Sequence, residues 1–524
     1  MARPVRDDAS LPYQLDRRAL LTGGLTLVGL GGSPRVIARA RQDVVPGSPL
    51  FTLGVASGDP TPDGVVLWTR LAPDPIHGGG MQDGDVAVTW EVARDEGLTQ
   101  IVQQGTAVAS TALGHSVHVE VDGLEAGRWY WYRFRTASDV SRVGRTRTLP
   151  AVSSIAPRLR FAVASCQHFE QGYFTAYQHM LDEDLDLVLH LGDYIYEYEG
   201  RDGRPRKHTG DESELLSDYR NRHALYRTDP DLQAAHAHFP WVVTWDDHEV
   251  DNNYAASVSE DGLPAELFLR RRGVAYQAYY EHMPLRRRSM PNGPRMQLYR
   301  DFSWGELASF HVLDTRQYRT DQPCGDVRGP ACGGVIDPAA TLLGDTQERW
   351  LTNGLDRSTA RWNVLPQQVM MARVDQRPGD DESFGMDVWS GYEVARRRLM
   401  EFLASRRPAN PIVLTGDIHS NWVNDLKVDY RDAAAATVAT EFVGTSISSG
   451  GDGSDTRETT AGMLSENPWV KFFNAQRGYI RCDVTPERYV ADYRVLDVVT
   501  RPDGVISTRA SFVVEDGRPG AAAL

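Results

Sequence analysis

The chain of 524 residues is predicted to be an α/β protein preceded by a small all-β domain. Three observations carry this. From Leu159 to about Val499, short apolar runs alternate with stretches of helical period. From Phe51 to about Leu149 the pattern is β alone, with period-two alternation between Gly-rich turns. Polar clusters recur just after five of the apolar runs, where the carboxyl ends of strands in an α/β sheet open onto a ligand crevice.

Residues 1–45 read as an export signal. Arg17 and Arg18 precede a weakly apolar, Gly-rich run from Gly23 to Leu30, and Ala38-Arg-Ala40 offers the small residues that a signal peptidase reads. The arrangement is similar to a twin-arginine signal, whose partner is the twin-arginine export machinery. The other reading is a basic tail. The run is too short and too rich in Gly for a membrane span. The expected location is therefore secreted, periplasmic or cell-wall associated.

Residues 46–150 are expected to form a β-sandwich of the fibronectin or immunoglobulin kind. Asp85–Val92 and Val117–Val121 are strand-like, and Tyr130, Tyr132 and Phe134 share one face. Leu124 and Tyr130 across a Gly turn resemble a tyrosine corner. No catalytic constellation falls here, so the segment is read as a packing or binding module.

Ala151–Pro157 is a linker, and residues 158–505 form the core domain. Its strands are predicted at Leu159–Ala164, Leu187–Leu191, Trp241–Trp245, Leu307–Leu313, Trp362–Leu365, Pro411–Leu414 and Thr440–Val443. Helices are predicted at Phe174–Leu185, Pro264–His282, Asp345–Leu355 and Tyr392–Ser405. Gln297–Phe302 and Leu307–Leu313 read as a hairpin, so part of the sheet is antiparallel. Residues 506–524 are expected to be a tail with a frayed end at 519–524.

The net charge of -15 excludes a non-specific polyanion binder and with it a nucleic-acid scaffold. It suits a protein that gathers carboxylates around cations. Of four cysteines, Cys482 reads as a buried strand residue. Cys324 and Cys332 flank a Gly/Pro-rich loop and are bridged in an oxidising compartment or free in a reducing one. Cys166 belongs to the site.

The strand Leu187–Leu191 ends at Gly192, and Asp193 and Tyr196 follow at once. The two oxygens of Asp193 can bridge two cations, and Tyr196 can reach one of them as a phenolate. Four more clusters follow the same pattern: Ser165-Cys-Gln-His168, Asp246-Asp-His-Glu249, Pro366-Gln-Gln368 and Gly416-Asp-Ile-His419. Each alone has a bland reading, since such aspartates cap helices, such histidines sit satisfied in cores, and a buried Cys acts as a small hydrophobe. Together they predict a two-metal centre.

Gly-Asp-x-x-Tyr at 192–196, Asp-Asp-His at 246–248 and Gly-Asp-x-His at 416–419 resemble the metallophosphoesterase superfamily. With Ser165-Cys166, Leu313-Asp-Thr-Arg-Gln-Tyr318 and the twin-arginine segment, the chain resembles the PhoD-like alkaline phosphatase/phosphodiesterase family. The resemblance implies a β-sandwich core flanked by helices. Three departures from the superfamily pattern bear on the metals. Cys166 stands for an Asp, Asp247 for an Asn and Asp417 for a His. One site would gather Cys166, Tyr196, His419 and Asp193, anionic donors suited to Fe(III). The other would gather Asp193, Asp247, Asp417 and a carbonyl of Gln368, an all-oxygen set suited to Ca²⁺. The resemblance likewise implies iron with calcium. A second calcium on Asn252 and Asn253 is left open against a plain turn. His168 is given no role beyond support of the ligands.

The implied activity is an exported phosphoesterase of the alkaline phosphatase D type. It would hydrolyse monoesters, diesters or both by attack of a hydroxide held between the cations. His248 would donate to a phosphate oxygen or protonate the leaving group, or else support Asp247. Arg316 would grip phosphate or pair with a nearby carboxylate. The substrate would be a small phosphate ester, or a phospholipid or cell-wall phosphodiester, and the protein a monomer. Phospholipase D chemistry on the same metals is the alternative enzyme, and a non-catalytic β module the alternative class.

Overall fold

Two sets of parallel strands set the architecture of the computed structural model, which describes residues 48–524 apart from 433. The expected signal thus lies outside the described residues. In the first sheet Leu159–Ala164, Leu187–His190 and Pro240–Val243 run parallel, with Ala162, Val188 and Trp241 in register. In the second, Ala308–Val312, Trp362–Pro366, Pro411–Thr415 and Thr437–Val443 run parallel. Arg300–Trp304 closes that sheet as the expected antiparallel hairpin. These parallel strands are apolar on both faces because both faces are covered.

The two sheets lie face to face. Phe161, Val163, Leu187 and Leu189 of the first share one buried cluster with Phe310, Trp362, Ile412 and Leu414 of the second. Each such side chain contributes about 1.5–3 kcal/mol when fully buried. One 15-residue strand, Val470–Val484, belongs to both sheets. Its first part pairs with Asn421–Lys427 and its second with Leu159–Ala164 and Arg488–Leu496. Helices Leu216–Arg227, Pro230–His238 and Ala265–His282 pack on the outer face of the first sheet. Gly344–Arg357 and Glu393–Arg406 pack on the outer face of the second. The result is the predicted α/β sandwich with helices on both sides.

Sequence periodicity misses the helices Leu216–Arg227 and Pro230–His238 for a physical reason. Their buried positions include Arg222, His223, Arg227 and His236, so no continuous apolar stripe exists. The second of them is set by its cap, since Asp229 accepts from the backbone N–H of Asp231 and Leu232 at 3.0 Å each.

From residue 48 to 150 the elements are β-strands and one short 3-10 turn at Thr111–Leu113. Val86–Ala93, Ile101–Ala109, Trp129–Arg135 and Gly144–Arg147 form a separate antiparallel sheet. Tyr130, Tyr132 and Phe134 bury one face of it. The hydroxyl of Tyr130 accepts from the backbone N–H of Glu125 at 2.9 Å, the bond of a tyrosine corner. Val55–Thr61, Gly64–Arg70 and Ser116–Asp122 instead extend the first core sheet, with Ser57 paired in parallel to Pro240. The β region is therefore continuous with the core through backbone hydrogen bonds.

The tail expectation is corrected. Ile506–Glu515 and Arg518–Ala523 form a hairpin on Arg488–Leu496. Its small residues read as frayed, but Phe512 and Val514 bury against the sheet and hold it in place.

Candidate metal centre

The carboxyl ends of both parallel sets open at one place, and the backbone there turns sharply. Cys166, Asp193, Asn253, Asp417 and His419 have φ of 58°, 55°, 49°, 64° and 52°. Non-glycine residues adopt this left-handed region at a cost of about 1–3 kcal/mol, borne where the surroundings leave no other choice. The loops are tied pairwise. Cys166 N–H donates to the Gly192 carbonyl and Gln167 N–H to that of Asp193, both at 3.0 Å. The buried carboxylate of Glu249 accepts from Asp193 N–H at 3.1 Å, Asp246 N–H at 2.9 Å and Tyr194 N–H at 2.6 Å.

These turns gather two donor groups. Cys166, Asp193 and His419 have ligand atoms within 4.8 Å of one another, as do Asp193, Asp247 and His248. Asp193 is common to both, as a bridging carboxylate requires. The Tyr196 hydroxyl donates to Asp193 Oδ2 at 2.8 Å, lies 3.1 Å from His419 Nε2 and accepts from Ser449 Oγ at 2.7 Å. Asp417 belongs to neither group of ligand atoms, although it stands two residues before His419 on the same turn.

The charges do not balance among the side chains. Burial, then the negative charge of neighbouring carboxylates, pushes Asp417 well above the ordinary carboxylate range. Burial does the same to Asp193, against the relief from His248 and with the added charge of Asp247, Asp246 and Glu249. The Cys166 thiol and Tyr196 phenol are raised likewise, by burial and then by Asp193. Asp193 Oδ1 is sealed from solvent with no hydrogen-bond partner. A buried set of thiol, phenol, imidazole and carboxylates with an orphaned bridging oxygen fits a pair of cations. Asp247 behaves oppositely. Burial raises it, but Arg316 and His248 prevail and hold it well below the usual range. Burial pulls His248 down, yet Glu197, Asp247 and Asp193 push its imidazole well above its ordinary value. Its Nδ1 donates to Glu197 Oε2 at 2.8 Å.

Several expectations change. The side chain of Gln368 ties strand ends together. Its Oε1 accepts from the N–H and hydroxyl of Thr315, and its Nε2 donates to Thr244 and to the Leu313 carbonyl. Its main-chain carbonyl accepts from Gly416 N–H at 2.9 Å, so Gln368 acts as a strut. Arg316 is 0 % exposed and takes the ion-pair reading. It donates from Nε to Asp246, lies 2.8 Å from both oxygens of Asp387 and 3.5 Å from Asp247. Asn252 and Asn253 behave as turn residues, their amides donating to Glu260 and Asp326. Cys324 and Cys332 are bridged, and the bridged loop meets the turn through Asp326. Cys482 is a buried strand residue, as read.

Sequence reasoning gave no role to Asp246 and Glu249, which it placed in a cluster, and missed Glu197, Asp387 and Ser449. Glu197 adjoins Tyr196, so adjacency was a usable signal. Asp387 and Ser449 lie on long loops with no local signature. A further acidic group, Glu212, Asp251 and Asp261, holds Arg271, which lies 2.8 Å from Glu212 and 3.1 Å from Asp251.

Comparison with known proteins returns the same site-bearing fold. Residues 161–493 match the family model described as PhoD-like phosphatase, and residues 38–150 match that of the PhoD-like phosphatase N-terminal domain. Alkaline phosphatase D of Bacillus subtilis (strain 168) is 52% identical over 519 residues, covering 96% of this chain and 88% of the relative. A solved structure of PhoD superposes with a TM-score of 0.89 at 54% identity, over 92% of this chain and 93% of that one. Purple acid phosphatase PPD1 from yellow lupin seeds superposes with a TM-score of 0.54 at 11% identity, over 90% of this chain and 75% of that one, a likeness of fold.

Proposed function

The chain belongs to the PhoD-like phosphatase family and is a hydrolase of phosphoric esters, and we propose that it acts with two cations gathered on Asp193. What supports the reading is the sharing of Asp193 between two donor groups whose atoms lie within 4.8 Å. Cys166, Tyr196, His419 and Asp193 would hold Fe(III), because thiolate and phenolate are strong donors to a redox-capable transition metal. Asp193, Asp247 and Asp417 would hold Ca²⁺, being oxygen donors for a hard cation. Bound there, the cations supply neutralisation of phosphoryl charge and acidification of a water.

The chain's own residues supply the rest. His248, fixed by Glu197 at Nδ1, keeps Nε2 for a phosphoryl oxygen and for delivering a proton to the departing alkoxide. Arg316 holds Asp246 and Asp387 and so fixes the turn that carries Asp247 and His248. The geometry needs no protein nucleophile. Phospholipase D chemistry is not favoured by the relatives found. Residues 1–45 would direct the folded protein outward through the twin-arginine machinery, and no helix of the described residues is long and apolar enough to cross a membrane.

Metal analysis of protein exported by its own host tests the assignment, with Asp193→Asn alongside. The expected result is iron and calcium in the parent, both depleted in the variant, and at least about a thousandfold loss of ester hydrolysis, as for removal of a central group of a catalytic unit. Hydrolysis by a metal-free Asp193→Asn protein at the parental rate would end the two-cation reading.

A further inference from the structure

We infer that His168 is a substrate-binding residue, donating a hydrogen bond from Nε2 to the phosphoester from the face of Tyr196 opposite His248. The inference rests on the two-cation reading of this site.

Four rings form a stack through the centre. His168 lies 4.3 Å from Tyr196, centroid to centroid, at 28° between planes. His248 lies 4.1 Å from the same ring at 33°. Two rings that close to a third cannot share one of its faces without overlapping, so they flank Tyr196. His208 covers the outer face of His168 at 5.2 Å and 5°. The ring whose hydroxyl touches Asp193 and His419 therefore has an imidazole on either side.

The tautomer of His168 is fixed by the backbone. Glu170 N–H donates to His168 Nδ1 at 3.2 Å. A ring nitrogen that accepts carries no hydrogen, so the hydrogen of the imidazole is on Nε2. Nε2 has no hydrogen-bond partner among the described residues, yet it is absent from the atoms sealed off from solvent. The residue is 5 % exposed, and Nε2 is its one donor without a partner among the described residues. The residue is also immobilised. Its N–H donates to Ser449 Oγ at 3.1 Å and its carbonyl accepts from Ser448 Oγ at 2.9 Å. Ser449 Oγ is the same hydroxyl that donates to Tyr196.

A preoriented neutral donor at the wall of a phosphoesterase site meets phosphoryl oxygens in both substrate and transition state. It contributes binding shared by both, which appears in KM and in product affinity rather than in kcat. His168→Asn keeps a side-chain oxygen near Nδ1 to accept from Glu170 but has no donor at Nε2. His168→Gln puts an amide N–H close to Nε2. On metal-loaded protein, His168→Asn should raise KM for p-nitrophenyl phosphate and Ki for inorganic phosphate about three- to tenfold, the value of one neutral hydrogen bond, with kcat little changed. His168→Gln should restore most of both. Unchanged KM and Ki in His168→Asn, or equal impairment of the two variants, would overturn the assignment. A crystal structure of the unmodified protein with inorganic phosphate gives an independent reading. Nε2 within about 3.2 Å of a phosphate oxygen is expected, and a separation beyond about 4 Å refutes it. Asp193→Asn separates the two levels of the proposal, because retained activity there removes the metal reading whatever His168 does.

Discussion

At the residue scale, Arg316 shows how burial decides between two roles that one residue type can play. A guanidinium suits a phosphate and a carboxylate equally in a sequence. Here it is enclosed by Asp246, Asp247 and Asp387. Removing one partner of a buried charge group costs about 3–5 kcal/mol because the others are left uncompensated. Arg316→Gln should therefore lower the unfolding free energy by about that much in urea titrations. A variant of parental stability with a large rise in KM would instead make Arg316 a phosphate clamp. The convergence of Cys166, Asp193, Tyr196, Asp247 and His419 was legible because each follows an apolar run within a few residues. Gln368 likewise follows an apolar run closely and has a different fate. The neighbouring Thr244 and Thr315 take its amide, and no one-dimensional signal reports those contacts.

At the element scale, the site depends on how closely two strand-end loops can approach. Gly192 has φ of 110°, and a Cβ there would lie 2.4 Å from Asp246 N and 2.5 Å from Asp246 Cβ. Both conditions demand glycine. Gly192→Ala should push the Asp193 and Asp247 loops apart, with loss of bound metal and about a hundredfold or greater loss of hydrolysis, as a misplacement near 1 Å produces. Parental metal content and rate in this variant would show that the loops are not coupled as described. The strands themselves were readable from short apolar runs. Leu216–Arg227 was not, because its buried residues mix Arg222, His223 and Arg227 with Tyr219, Ala224, Leu225 and Tyr226. The terminal hairpin was missed because small residues conceal the alternation of Phe512 and Val514.

At the scale of the molecule, buried histidines make one distinct contribution to the response to acid. His190, His223, His236 and His282 are fully buried. Burial lowers His190 and His223 from 6.5 to about 3 and holds the other two well below their ordinary value. A histidine depressed in the folded state leaves the unfolded chain with more protons below pH 6.5. Each such group therefore contributes a loss of about 1.4 kcal/mol of stability per pH unit as pH falls from 6.5 towards its folded value. His223→Phe keeps a ring beside His282, 4.9 Å away, and removes one such group. Its acid limb should be shallower than the parent's by about 1.4 kcal/mol per pH unit. Identical slopes in urea unfolding between pH 6.5 and 4.5 would count against a neutral, buried His223.

Local chemistry is written along the chain. Apolar runs, turn residues and the donors placed after them specify which strands form and which side chains stand at their ends, because these follow from spacing. The chain by itself thus determined the α/β class and which strand ends carry polar clusters. Only the tertiary structure decided that the β region before residue 150 shares its sheet with the core, that Asp246 and Asp387 rather than a phosphate receive Arg316, and that two imidazoles flank Tyr196. Those outcomes depend on which distant surfaces are buried together. Burial fixes the charge and the spare hydrogen bonds of a side chain only after the layers have closed over it.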